Sequence, residues 1–143
     1  MALADIGKVF HHPNLGLLLL RLSVGGFFIY YGIGKFLGGE QALRGLGARI
    51  SHLGITVTPE STASLIFGLL AAITELLGGL LLLLGVAFRP ALVALMGVMV
   101  VATIFLYQVT SGDVTRFGHP LIYLLVMGAM LFAGPGKISI QKD

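Results

Sequence analysis

Apolar residues fall into four long runs separated by short polar stretches, with one amphipathic segment between the first two runs. The first run, Leu15 to Leu37, is interrupted only by Arg21, Ser23 and Lys35, and about 20 apolar residues suffice to cross the hydrocarbon core of a bilayer. A span is therefore predicted over 15–37, ended by Gly38 and Gly39. Leu43, Leu46, Ile50 and Leu53 then recur at helical spacing opposite Arg44, Arg49 and His52, which predicts an interfacial amphipathic helix over 41–53. Thr58 and Pro59 read as an N-cap followed by a first helical proline, opening a second span over 60–88 with Glu75 near its centre. Arg89-Pro90 marks a turn into a third span, 91–109. His119-Pro120 opens a fourth, 119–133, which Gly134-Pro135-Gly136 stops. The expected fold is all-α, an integral membrane four-helix bundle forming a single transmembrane domain over 1–143. An even number of spans puts both termini on one side.

Composition narrows the class. The chain has 143 residues, of which 57% are hydrophobic and 10% charged, and its mean hydropathy is +1.00. Soluble domains carry about 25% charged residues, so this one belongs in lipid. No signal-peptide cleavage pattern follows the first run, which is expected to stay as a helix. Cysteine is absent, which excludes disulfides, thiolate metal sites and relays through a Cys pair; redox work would need a bound cofactor. A net charge of +3 fits basic residues distributed between spans rather than a nucleic-acid surface, and no nucleic acid partner is expected. Lys8, Arg89, Lys137 and Lys142 lie on the terminal side, and Lys35, Arg44, Arg49 and Arg116 opposite. Counting Arg21 with the terminal side tips the balance toward cytoplasmic termini.

Ionisable side chains inside a span cost roughly 2.5 to 3.5 kcal/mol on insertion scales, so each asks for a partner or a purpose. Arg21, Lys35 and Glu75 are the three candidates for a catalytic or proton-handling role. At about 100° per residue, Arg21, Gly25, Phe28, Gly32, Lys35 and Gly39 share one face of the first span. Gly68, Ala71, Ala72, Glu75, Gly78 and Gly79 share one face of the second. Small residues permit close approach in membranes, so these faces are expected to meet, with Arg21 as the better partner for Glu75. Two readings of Glu75 stay open: a structural ion pair that fixes register, or a proton-carrying or ligand-binding carboxylate in an interhelical cavity.

Phe28, Tyr31, Tyr107, His119 and Tyr123 are the candidates for lining such a cavity, with Thr103 offering a further hydroxyl. His119, Tyr123, Met127 and Met130 form a stripe that a soft metal ion would suit, but such a stripe is more often core packing, and no metal site is expected. His11 and His12 diverge on a helix and share no metal. The segment Gly32 to Gly38 looks like a phosphate loop but lacks its spacing and a preceding strand. Its Gly34-x-x-x-Gly38 spacing suits helix packing.

These residues together resemble the DoxX family of small four-helix membrane proteins. The first span carries the family's Arg, Gly-rich and Gly-x-x-Lys layout in Arg21, Gly25 to Phe28, Gly32 and Lys35. Ser51 to Ile55 resembles its interfacial segment, Glu75 to Gly79 its Glu-x-x-Gly-Gly signature, and Gly134 to Ser139 its closing Gly-Pro-Gly-x-x-Ser. The resemblance implies a multi-pass protein of a bacterial or archaeal cytoplasmic membrane, related to the membrane subunit of a thiosulfate:quinone oxidoreductase. It supports fold more than function.

The leading expectation is a small redox-associated subunit whose cavity near Glu75 holds a quinone or similar lipid-soluble ligand. The alternative is a non-catalytic accessory or assembly subunit that docks a larger complex through its glycine faces and amphipathic helix. Either reading expects membrane lipid around the protein and a protein partner or a homo-oligomer beside it. Solute transport is less favoured, because four short spans carry no internal repeat.

Overall fold

A computed structural model describes residues 11–141; Lys8, Lys142 and Asp143 of the sequence reading lie outside them. Among the described residues, five α-helices follow in order: α1 Pro13–Leu37, α2 Gly39–Ala48, α3 Thr62–Leu84, α4 Phe88–Val109 and α5 Val114–Ala133. A short 3₁₀ helix, Arg49–Leu53, continues α2. α1, α3, α4 and α5 are each long and apolar enough to cross a membrane, and α2 is the shorter helix between the first two.

Several boundaries differ from expectation for identifiable reasons. The second span begins at Thr62 because Ser61, not Thr58, is its N-cap: the Ser61 hydroxyl accepts from the Ser64 N–H. That span ends at Leu84, where Gly85 takes a left-handed conformation (φ +68°), four residues short of the expected end. Pro90 sits in the first turn of α4, where its missing N–H costs no intrahelical bond. Asp113 caps α5 by accepting from the Thr115 N–H. The fourth span therefore starts before His119, and Pro120 is inside the helix.

The expected α1–α3 seam is present. A Cβ on Gly25 would lie 2.7 Å from the Gly79 carbonyl oxygen, and one on Gly79 the same distance from the Gly25 carbonyl oxygen. A Cβ on Gly32 would lie 2.9 Å from the Leu76 nitrogen. The helices thus touch backbone to backbone, which hydrogen at these positions allows. Gly34, half of the Gly-x-x-x-Gly spacing, faces open space instead.

α2 crosses the start of α3 through a second glycine contact, where a Cβ on Gly47 would collide with the Ser64 carbonyl and one on Gly68 with the Leu43 carbonyl. Its 3₁₀ continuation reaches the end of α4: His52 Nδ1 lies 2.6 Å from Gln108 Oε1. α3 is the central helix, touching α1, α2 and α4, while α5 packs on α4 and barely meets α1. The apolar core joins Val24, Phe28, Leu82, Phe88, Leu92, Leu95, Met99, Met127 and Met130. Met127 and Met130 of the soft-ligand stripe are thus core residues.

Both ends of the described chain meet at the far end of the bundle from α2. The segment after α5 folds back over it, with the Lys137 N–H donating to Asn14 Oδ1 at 3.0 Å and the Ile140 N–H to the Leu84 carbonyl at 3.2 Å.

Candidate functional site

α1 carries two cations, Arg21 and Lys35, and they end up in different places. Arg21 is 2% exposed but does not reach Glu75, contrary to the pairing expected from the sequence. Its Nε donates to the Leu82 carbonyl at 3.0 Å and its Nη2 to the Leu83 carbonyl at 2.8 Å. Its Nη1 donates to the carbonyls of Pro135 (3.1 Å) and Ile138. The last four carbonyls of a helix lack intrahelical partners and form its negative pole. Arg21 therefore caps the C-terminus of α3 and ties the returning tail to it.

Glu75, 1% exposed, is paired with Lys35 instead: the Lys35 ammonium donates to Glu75 Oε2. Axial register decides this. Gly32 lies against Leu76 and Gly25 against Gly79, so Glu75 sits about one turn back along α1 from Lys35. A helical side chain leans toward its own N-terminus, which carries the ammonium of Lys35 down to that level.

The pair is not sealed off. A cavity of about 220 Å³ adjoins it, bounded by Phe27, Phe28, Tyr31 and Lys35 of α1, Glu75 of α3, Met99, Ala102 and Leu106 of α4, and His119, Pro120 and Tyr123 of α5, with Arg49 at one end. It lies in the gap where α1 and α5 are bridged mainly by aromatic contacts, Phe27 to Tyr123 (6.2 Å between ring centroids) and Phe28 to Tyr123 (5.8 Å). A second cavity of about 290 Å³ reaches the same carboxylate from between α2, α3 and α4.

Of the side chains singled out in the sequence, this chamber brings together Glu75, Lys35, Phe28, Tyr31, His119 and Tyr123. Arg21 is at the other end. Tyr107 is also elsewhere: it is 55% exposed and packs edge-on against Phe117, 5.4 Å between centroids. Thr103 donates its hydroxyl to the Met99 carbonyl within its own helix, as membrane threonines often do.

The residue that sequence reasoning missed is Arg49, which borders all of these spaces. The sequence pattern groups it with Arg44 on the polar face of the amphipathic segment. Five residues at about 100° each, however, put Arg49 roughly 140° around the helix from Arg44, and that spacing was the available signal. Arg44 does face outward, bonding Glu40 Oε1 at 2.8 Å and the Ser61 carbonyl at 2.9 Å. Arg49 turns inward, with its guanidinium 4.7 Å from the centroid of the Phe105 ring, a cation–π contact. Burial draws its pKa below the ordinary arginine value, while the negative charge of Glu75 works in the opposite direction.

A family model for DoxX matches residues 16–108, well over half of the chain. The chain belongs to the DoxX family. No curated protein and no solved structure matched it. The matched segment holds Arg21, Lys35, Arg49 and Glu75, whereas the α5 side of the chamber, with His119 and Tyr123, lies beyond it. The ionic part of this DoxX site thus falls within the family segment, and part of its aromatic wall does not.

Chemically, the arrangement offers a buried carboxylate held by one ammonium, a guanidinium close by, and an aromatic chamber between two helices that scarcely touch. It can receive an apolar molecule with polar oxygens and exchange a proton with it.

Proposed function

We propose that the chamber binds the headgroup of a quinone-type, lipid-soluble ligand and that the protein serves as a small redox-associated subunit of the membrane. One observation carries this reading: the Glu75–Lys35 pair opens onto a cavity of about 220 Å³ walled by Phe27, Phe28, Tyr31 and Tyr123. A ligand dissolved in the bilayer enters between α1 and α5, its ring stacks among the aromatic side chains, and its oxygens meet Lys35, Arg49 or His119. Reduction of a quinone to a quinol takes up two electrons and two protons. Glu75 would relay protons, as a general base within reach of its target does. The electrons would come from a partner protein, since a chain without cysteine has no thiol relay of its own. Both termini would face the cytoplasm, and cysteine labelling of the 40–58 segment from outside the cell checks this.

The accessory-subunit alternative keeps the exposed side of α2 as a docking surface but not the glycine contacts. The glycine faces of α1 and α3 are spent on each other, and α2 spends Gly47 on α3.

The test is mass spectrometry of the lipids retained by protein purified in mild detergent, comparing wild type with a folded Glu75→Gln variant. Wild type is expected to retain a quinone that the variant loses. A wild type without one, when purified from quinone-replete membranes, overturns the reading.

A further inference from the structure

Lys35 and Arg49 both line three separate cavities, yet only one of these cations is spent. Lys35 is neutralised by Glu75. Arg49 meets the face of Phe105, and among the described residues no acceptor takes a hydrogen bond from its guanidinium. Guanidinium has five N–H donors in a planar fork. Two cations against one carboxylate leave the site one positive charge in excess.

The largest of the three spaces, about 710 Å³, is a groove between α1 and α2. Tyr30, Tyr31, Gly34 and Lys35 form its α1 side, and Gly45 and Arg49 its α2 side. Gly34 and Gly45 are not helix contacts, because a Cβ on either would meet nothing within 4 Å. They leave room instead. The groove opens beside the outer face of α1, where Tyr30, Ile33 and Leu37 are exposed. Lys35 lies two residues from the end of that helix, a depth at which Lys and Tyr meet headgroups.

We propose that this groove binds an anionic membrane phospholipid, its phosphate held by the Arg49 guanidinium with Lys35 alongside and its acyl chains lying on the outer face of α1. The guanidinium fork matches two phosphate oxygens at once, and the bound anion cancels the excess charge. A free phosphate would share this headgroup chemistry, but it has no use for the apolar wall beside the groove. The inference stands apart from the quinone reading: the groove shares Tyr31, Lys35 and Arg49 with the chamber, but Gly34 and Gly45 belong to the groove and not to the chamber.

Wild type, Arg49→Gln and Gly45→Leu proteins are placed in nanodiscs of equal phosphatidylglycerol and phosphatidylcholine, and the lipid each keeps is identified by native mass spectrometry. Gly45→Leu leaves every cation in place and fills the groove with a side chain that suits a helix. Wild type is expected to keep one phosphatidylglycerol with a roughly tenfold preference, and both variants to lose that preference. Gly45→Leu should still retain whatever quinone wild type retains, so failure here and failure of the redox reading are distinguishable. Equal retention of the two lipids by wild type overturns the proposal, as does a preference that survives in both variants. In a second arm, inorganic phosphate is titrated into delipidated wild type and unfolding is followed by temperature. Protection equal to that given by phosphatidylglycerol assigns the site to a soluble anion and overturns the lipid assignment.

Discussion

Arg21 and Lys35 lie fourteen residues apart on α1, close to four whole turns, and so occupy the same face of one helix. Both are cations inside a membrane protein, yet their surroundings differ in kind. Arg21 gives its donors to four backbone carbonyls at the end of α3 and in the tail. Lys35 gives its ammonium to a single carboxylate beside cavities shared with Arg49. A buried charge is therefore not in itself a sign of chemistry; what separates these two is whether the donors are exhausted on backbone or left facing space.

The contrast is broken most directly at Arg21. Arg21→Met leaves the carbonyls of Leu82, Leu83, Pro135 and Ile138 without that partner, at about 1–3 kcal/mol for each that stays buried and unpaired. The expected outcome is a loss of at least about 3 kcal/mol, measured as unfolding in detergent, with proteolysis of the tail after Ala133 rising in parallel. Arg21→Lys should recover only part of this, because one ammonium cannot span four carbonyls in a fixed fork. If Arg21→Met unfolded like wild type, the contrast between a structural and a chemical end of α1 would be lost.

At the other end, which partner is removed matters. Lys35→Met strands the buried Glu75 carboxylate and is expected to cost about 3–5 kcal/mol. Glu75→Gln leaves a lysine whose side chain is 25% exposed and can move its charge toward headgroups, so it should cost markedly less while abolishing ligand retention. The double variant should be more stable than Lys35→Met alone, giving a coupling of about 1–3 kcal/mol in a double-mutant cycle. Equal losses in both single variants would contradict the asymmetric burial of the pair.

Smaller effects separate glycines that touch from glycines that do not. Gly79→Ala puts a methyl about 2.7 Å from the Gly25 carbonyl oxygen, and backbone cannot step aside cheaply, so about 1–3 kcal/mol of destabilisation is expected. Gly34→Ala meets nothing within 4 Å and should stabilise by about 0.5–1 kcal/mol through helix propensity alone. Thermal unfolding of the two variants reads both signs in one experiment.

Much of this was legible in the sequence. Run lengths marked the four spans, and the 100° periodicity found both small-residue faces, because helix period and helix burial are local properties. The partner of Glu75 was not legible. It depends on how far one antiparallel helix slides along another, and that register follows from where Gly25 and Gly32 find backbone to touch. Arg49 was hidden differently, since its role needs α2 folded back across α3 and onto α4, a tertiary event with no local trace beyond its angular offset from Arg44.

The smallest expected effect lies in the loop between α4 and α5, where Asp113 caps α5. Asp113 accepts from both the N–H (3.0 Å) and the hydroxyl (2.7 Å) of Thr115, and these bonds hold its carboxyl below the usual aspartate range. A carboxyl whose pKa is lower folded than unfolded binds fewer protons in the folded state. Its contribution is therefore complete above the unfolded value, about 3.9, and is lost as the pH falls through the folded one. Hydrogen exchange at the first turn of α5 should accordingly quicken in acid beyond what the intrinsic rate explains, while the middle of α5 stays protected. Asp113→Asn keeps an acceptor at the cap but cannot titrate, so it should abolish that acid step without unravelling the helix. An acid step that persisted in Asp113→Asn would move the cause elsewhere in the loop and leave the early start of α5, ahead of Pro120, without its cap as explanation.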